Sequence, residues 1–171
     1  LGFGGDIADH ILSHKPAFPW IVHVHAVAFL GWLVLFTVQA GLIRARRPEL
    51  HRRLGYGMLG LAAFMLFIGP ATALHMDRIH LHDPDADPTF LYIQLTDMLA
   101  FAVLTGAAVL LRNSAAAHKR LMLLSLLYIS DAGFARLFGP LIAPAIPSAY
   151  WSNFLGDYLA SDLGMLAIAI F

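Results

Sequence analysis

Apolar positions in this chain run together instead of alternating with polar ones. Four stretches, at about 20–43, 54–74, 91–111 and 121–141, are almost wholly apolar, and a fifth starts near 155 and continues to 171. A helix rises about 1.5 Å per residue and the hydrocarbon core of a bilayer is about 30 Å thick, so about 20 apolar residues suffice to cross it. The pattern predicts an all-α integral membrane helical bundle of about five transmembrane helices, with residues 1–171 forming a single membrane domain. Pro19 suits the first turn of the first helix, where a missing N–H is harmless. Pro70 lies inside the second stretch and predicts a kink, while Pro140, Pro144 and Pro147 are expected to end the fourth. The chain opens on Leu1 and stops at Phe171 inside an apolar run, so both ends read as points within a longer sequence, and no cleavable signal peptide is visible.

Composition agrees: 59% of residues are hydrophobic and 13% charged, against about 45–50% and about 25% in soluble domains. The formal net charge is zero, which removes any general attraction to nucleic acid. The absence of cysteine excludes disulfides, thiolate metal sites and cysteine nucleophiles. Arg44, Arg46, Arg47, Arg52 and Arg53 cluster between the first two stretches, and Arg112, Lys119 and Arg120 between the third and fourth; these eight are most of the chain's eleven Lys and Arg. Segment 75–89 carries Asp77, Asp83, Asp85 and Asp87 against Arg78. Basic loops stay inside, so the two basic loops are expected in the cytoplasm and the N-terminal segment outside. Trp20, Tyr150 and Trp151 then fall at outer borders, where interfacial aromatics collect.

A short repeat accompanies the charge. Leu50-His51-Arg52-Arg53-Leu54 opens the second helix and Ala117-His118-Lys119-Arg120-Leu121 the fourth, which suggests two similar hairpins in the same orientation. Phospholipid phosphate is the ordinary partner of such basic helix starts.

Ionisable groups within spans are costly and stand as functional candidates. His23 and His25 lie in the first turns of the first helix, and Gln94 and Asp97 in the outer part of the third. Asp131 and Arg136 belong to the fourth, Asp157 and Asp162 to the fifth, and His75 closes the second. Together they predict a polar network around an outward-facing pocket. His23 and His25 are about 200° apart and cannot share a face, whereas His25, Phe29, Trp32, Phe36 and Gln39 form one stripe, with Gln39 about 21 Å deeper than His25. Three readings of His25 stay open. It could ligate haem b, with His75 as second ligand and the aromatics packing the macrocycle. It could join a divalent-metal site with His23 or His75 and with Asp97 or Asp131 of other helices. Or it could hydrogen-bond to a neighbouring helix and only hold the bundle together. Arg136 is expected to pair with Asp97, Asp157 or Asp162 on another helix, either structurally or as an anion or proton site. His80-x-His82 with Asp85 reads as a wet outer loop or a surface metal site. No phosphate loop, dinucleotide-binding glycine pattern, His-Glu-x-x-His or Gly-x-Ser-x-Gly is present.

The run from His23 to Gly55 and the run from Ala117 to Leu124 resemble an uncharacterised family of bacterial multi-pass inner-membrane proteins, with the paired His-basic-Leu motifs as the most specific part. The architecture is also loosely similar to helical bundles of the cytochrome b561 type, which carry two His ligands per haem. The resemblance implies a bacterial inner-membrane location and carries no activity with it. The expected function is an accessory multi-pass subunit of a larger energy-transducing or redox membrane complex, in contact with membrane lipids and other membrane-protein subunits. The alternatives are a small membrane oxidoreductase with a His-ligated haem or metal, and a proton or small-ion transporter. Small residues at Gly57, Gly60, Gly69, Ala73, Gly106 and Ala108, and again at Gly164, Ala167 and Ala169, offer close-packing surface for assembly.

The topology is directly testable because the chain has no cysteine of its own. Single cysteines replacing Arg47 and Asp85 are expected to react with a membrane-impermeant thiol reagent from opposite sides. Reaction from the same side overturns the arrangement.

Overall fold

A computed structural model describes residues 17–81 and 89–142, together with Ala8, Leu12 and Ser13. Among the described residues the chain is all helical, with four helices: α1 Trp20–Arg44, α2 Pro48–His80, α3 Thr89–Leu110 and α4 Ala115–Ile142. Three of them, α1, α2 and the Leu91–Leu110 stretch of α3, are long and apolar enough to cross a membrane. The fifth expected helix, at 155–171, lies outside the described residues.

The helices outrun the apolar stretches that predicted them. α2 begins at Pro48 instead of 54 and ends at His80 instead of 74. Pro48 occupies a first-turn position and Glu49 places an acid at the positive helix end, so helix formation starts before the apolar run. At about 1.5 Å per residue its 33 residues span about 50 Å, well beyond the hydrocarbon slab. Hydropathy marks the slab; hydrogen bonding and caps mark the helix. Pro70 lies within unbroken helix, and α4 passes Pro140 to reach Ile142, so Pro140 does not end it. Pro144 and Pro147 lie outside the described residues.

The chain divides into two compact units, one of residues 18–102 and one that includes 103–142. In the first, α1 and α2 form an antiparallel hairpin. Gly31 lies by Leu61 and Gln39 by Gly55, so positions rise on α2 as they fall on α1. A three-residue connection joins them. Its bonds, Arg47 N–H to Leu42 O at 2.8 Å and Arg46 N–H to Ile43 O at 3.0 Å, make the paired terminal bonds of a Schellman motif. The left-handed residue of that motif is usually glycine; here it is Arg46, with φ 55°. A non-glycine residue in that conformation costs about 1–2 kcal/mol.

Packing in this unit is one-sided. Ala28, Trp32 and Gln39 of α1, and Met58, Ala62, Met65, Ile68 and Gly69 of α2, are buried. Met98 and Phe101 of α3 join them. Trp32 and Phe101 meet edge to face with centroids 5.2 Å apart, a pairing worth about 0.5–1.5 kcal/mol beyond area. The opposite face of α1 carries Val27, Leu30, Val34 and Val38, all exposed, with Val27 at 71%. A water-facing helix places polar residues there; an outer face this apolar fits hydrocarbon.

In the second unit the end of α3 and α4 form another antiparallel pair across residues 111–114. Thr105 Oγ1 donates to Ser125 Oγ at 3.1 Å, and both are buried. Ser114 caps α4 by accepting from Ala117 N–H at 3.5 Å.

Gly69 and Gly60 differ sharply in surroundings. A Cβ at Gly69 would stand 3.0 Å from Met98 Sδ and 3.3 Å from its Cε, while at Gly57 and Gly60 it would meet no described residue within 4 Å. Gly69→Leu is therefore expected to destabilise the chain by about 1–3 kcal/mol through overpacking. Gly69→Ala should lose less, because Met98 is flexible, and Gly60→Leu should leave the isolated chain unchanged. Thermal unfolding in detergent checks the order; equal losses at 60 and 69 would refute it.

Candidate functional site

Helix α1 places its polar side chains by period. His25, Trp32 and Gln39 are seven residues apart, which returns to nearly the same face each time with an axial step of about 10.5 Å. The stripe expected from the sequence is thus an inward face: Trp32 and Gln39 are buried, and His25, Phe29 and Phe36 half-buried. His25 stacks on Phe29 with ring centroids 4.0 Å apart and planes tilted by 30°. Its Nδ1 is buried without a hydrogen-bond partner, as are Trp32 Nε1 and Gln39 Oε1. One face of α1 therefore carries a column of three polar groups, each with an atom left unsatisfied.

Gln39 is oriented by what it touches. Its Nε2 donates to His51 O at 3.1 Å across the hairpin. A carbonyl only accepts, so the amide nitrogen must face His51 and Oε1 must face away.

The other candidate residues fall in both units, with His23, His75, Gln94 and Asp97 in the first and Asp131 and Arg136 in the second. His23 is exposed and borders an open, apolar groove of about 420 Å³ with Val24, Val27, Ala28, Leu61 and Phe64. His75 is exposed near the end of α2. The hairpin register sets His25 near the level of Phe67, and His75 stands about two turns, roughly 12 Å, further along. Gln94 on α3 is half-buried, and Asp97 and Asp131 are half-buried and engaged in interactions. Arg136 is exposed and turns back on its own helix, donating from a guanidinium nitrogen to Ala132 O at 3.0 Å. Asp157 and Asp162 lie outside the described residues, as do His82 and Asp85 of the acidic segment. Among the described residues no group of three or more His, Asp or Glu could hold a metal ion.

The two His-basic-Leu motifs occupy matching places. His51 is the fourth residue of α2 and His118 the fourth of α4. His118 Nδ1 lies 2.9 Å from Ala108 O, and because that oxygen accepts, Nδ1 carries the hydrogen. Sequence reasoning placed both histidines at helix starts but missed that each motif closes its hairpin, through His51 O to Gln39 and through His118 Nδ1 to Ala108 O. The seven-residue spacing of Gln39 from Trp32 was the available signal for the first; nothing in the sequence marks a backbone carbonyl as the partner in either.

Comparison with known protein families, curated proteins and solved structures found no match to this chain.

His25 can be tested by shape. His25→Phe keeps a flat ring against Phe29 and removes the unsatisfied nitrogen, so the unfolding temperature in detergent is expected to hold or rise. A clear fall would mean that the imidazole nitrogen has a partner in the working protein.

Proposed function

We propose that this chain is an accessory multi-pass subunit of a larger energy-transducing or redox complex in a bacterial inner membrane, with its basic turns in the cytoplasm. The observation that carries the reading is the open face of α2. Gly57 and Gly60 have free space where a side chain would stand, and exposed Tyr56, Phe64 and Phe67 lie around them. A mid-helix glycine is about 1 kcal/mol less favourable than alanine. Lipid gives no reason to bear that loss, whereas a second helix does, because small residues let backbones approach. The connections of three and four residues leave little room for a catalytic loop on these turns. In mild detergent the chain should co-purify with other membrane proteins by native mass measurement. Gly60→Leu should weaken that association while sparing the chain's own stability. A monodisperse monomer with no co-purifying chain overturns the proposal.

A second reading, a small membrane oxidoreductase with haem or a metal on His25, draws on the buried, unsatisfied Nδ1. It predicts a haem absorption band, or stoichiometric metal, in the pure protein that is lost in His25→Phe.

A further inference from the structure

The turn between α1 and α2 gathers Arg44, Arg46, Arg47, Arg52 and Arg53 within ten residues, with Glu49 as the sole acid in that stretch. All five arginines are exposed, and none forms an ion pair with a described residue. The turn joins two helices long and apolar enough to cross a membrane, so it falls at headgroup depth. Its shape is fixed: the Schellman bonds close α1, His51 N–H donates to Arg47 O at 3.1 Å at the start of α2, and Gln39 ties the two helices together just above.

Charge alone would satisfy the topology rule, which counts basic residues and is indifferent to their backbone conformation. Arg46 does more than add to the count. Among the described residues it is the only non-glycine residue with positive φ, at the position of the motif where glycine is the ordinary choice. Glycine would relieve the backbone and still leave four arginines, so the side chain at 46 is what the strain retains. The second basic turn, with Arg112, Lys119 and Arg120, has no such residue.

We propose that the α1–α2 turn is a binding site for anionic phospholipid headgroups, with Arg46 held in the left-handed conformation to bring its guanidinium to the lipid phosphate. Planar guanidinium groups match phosphate oxygens in pairs of hydrogen bonds, and a fixed turn presents several at once. A basic residue near an anionic surface contributes about fivefold to affinity.

The test uses the full chain, delipidated in neutral detergent and titrated with phosphatidylglycerol or phosphatidylcholine, with bound lipid counted by native mass measurement. Arg46→Gly is expected to hold or raise the unfolding temperature, yet to reduce the preference for phosphatidylglycerol by about fivefold. Arg46→Gln, which keeps the strained backbone and loses only the charge, is expected to reduce the preference equally. Retention of the preference by either variant overturns the proposal. So does competition by inorganic phosphate at equal phosphate concentration, which would mark a soluble anion as the ligand.

Discussion

A primary amide within a membrane-spanning helix cannot be left against hydrocarbon, where an unpaired polar group costs several kcal/mol. Gln39 meets this constraint by turning into the hairpin and donating to His51 O at 3.1 Å. The bond sets the register of α1 on α2. With residue 39 beside 51 and 55, Gly31 comes beside Leu61. A slip of one residue would rotate α1 by about 100° and carry Gln39 away from its acceptor. Apolar contacts with lipid are nearly as good as contacts with another helix, so they choose a register poorly, and a single buried amide chooses it well.

The second hairpin solves the same problem with the roles exchanged. There the donor sits on the later helix, as His118 Nδ1–H, and the acceptor is Ala108 O of the earlier one. In both, a side chain bonds a main-chain carbonyl of the facing helix. His51 O lies in the first turn of α2 and can accept a second bond through its other lone pair, whereas Ala108 O lies in the last turn of α3, where Arg112 N–H bonds Val109 O instead. Both cross-helix bonds therefore fall near the turns, where a carbonyl at a helix end is left without an intrahelical donor or one near a helix start has a lone pair to spare. Deeper in the same pair, the hydroxyls of Thr105 and Ser125 satisfy each other, and Ser125 also donates to Met122 O at 3.2 Å. Gln39, Thr105 and Ser125 thus face inward while apolar side chains such as Leu99, Val103 and Leu110 of α3 stay exposed.

Much of this was legible in the sequence, because length and apolarity alone decide whether a helix can span. The one-face stripe from His25 to Gln39 follows from spacing, and burial of Trp32 and Gln39 confirms that face. Helix ends were less legible: α2 gains residues at both termini since caps and backbone bonds, not hydropathy, decide where a helix stops. The polar constellation was hardest to read. Sequence places His25, His75, Asp97, Asp131 and Arg136 on elements but not at distances, and three dimensions leave His75 and Arg136 exposed. Nothing in the order of residues separates Gly69, packed on Met98, from Gly60, which meets no other described residue.

That difference has a consequence for how α2 is used. Gly60 and Gly69 are nine residues apart, which places them on opposite sides of one helix. One side is consumed within the chain, where Gly69 lets Met98 approach the backbone so closely that a Cβ would crowd its sulfur at 3.0 Å. On the other side, a Cβ at Gly60 would meet no described residue within 4 Å. Exposed Tyr56 and Phe64 stand four residues to either side of Gly60 on that same face, and α2 is in addition the longest of the described helices, at 33 residues. A lipid-facing surface is served as well by leucine or valine, as on α1. By that comparison the free faces of the two helices differ: α1 offers Val27, Leu30, Val34 and Val38, and α2 a glycine set between aromatic side chains.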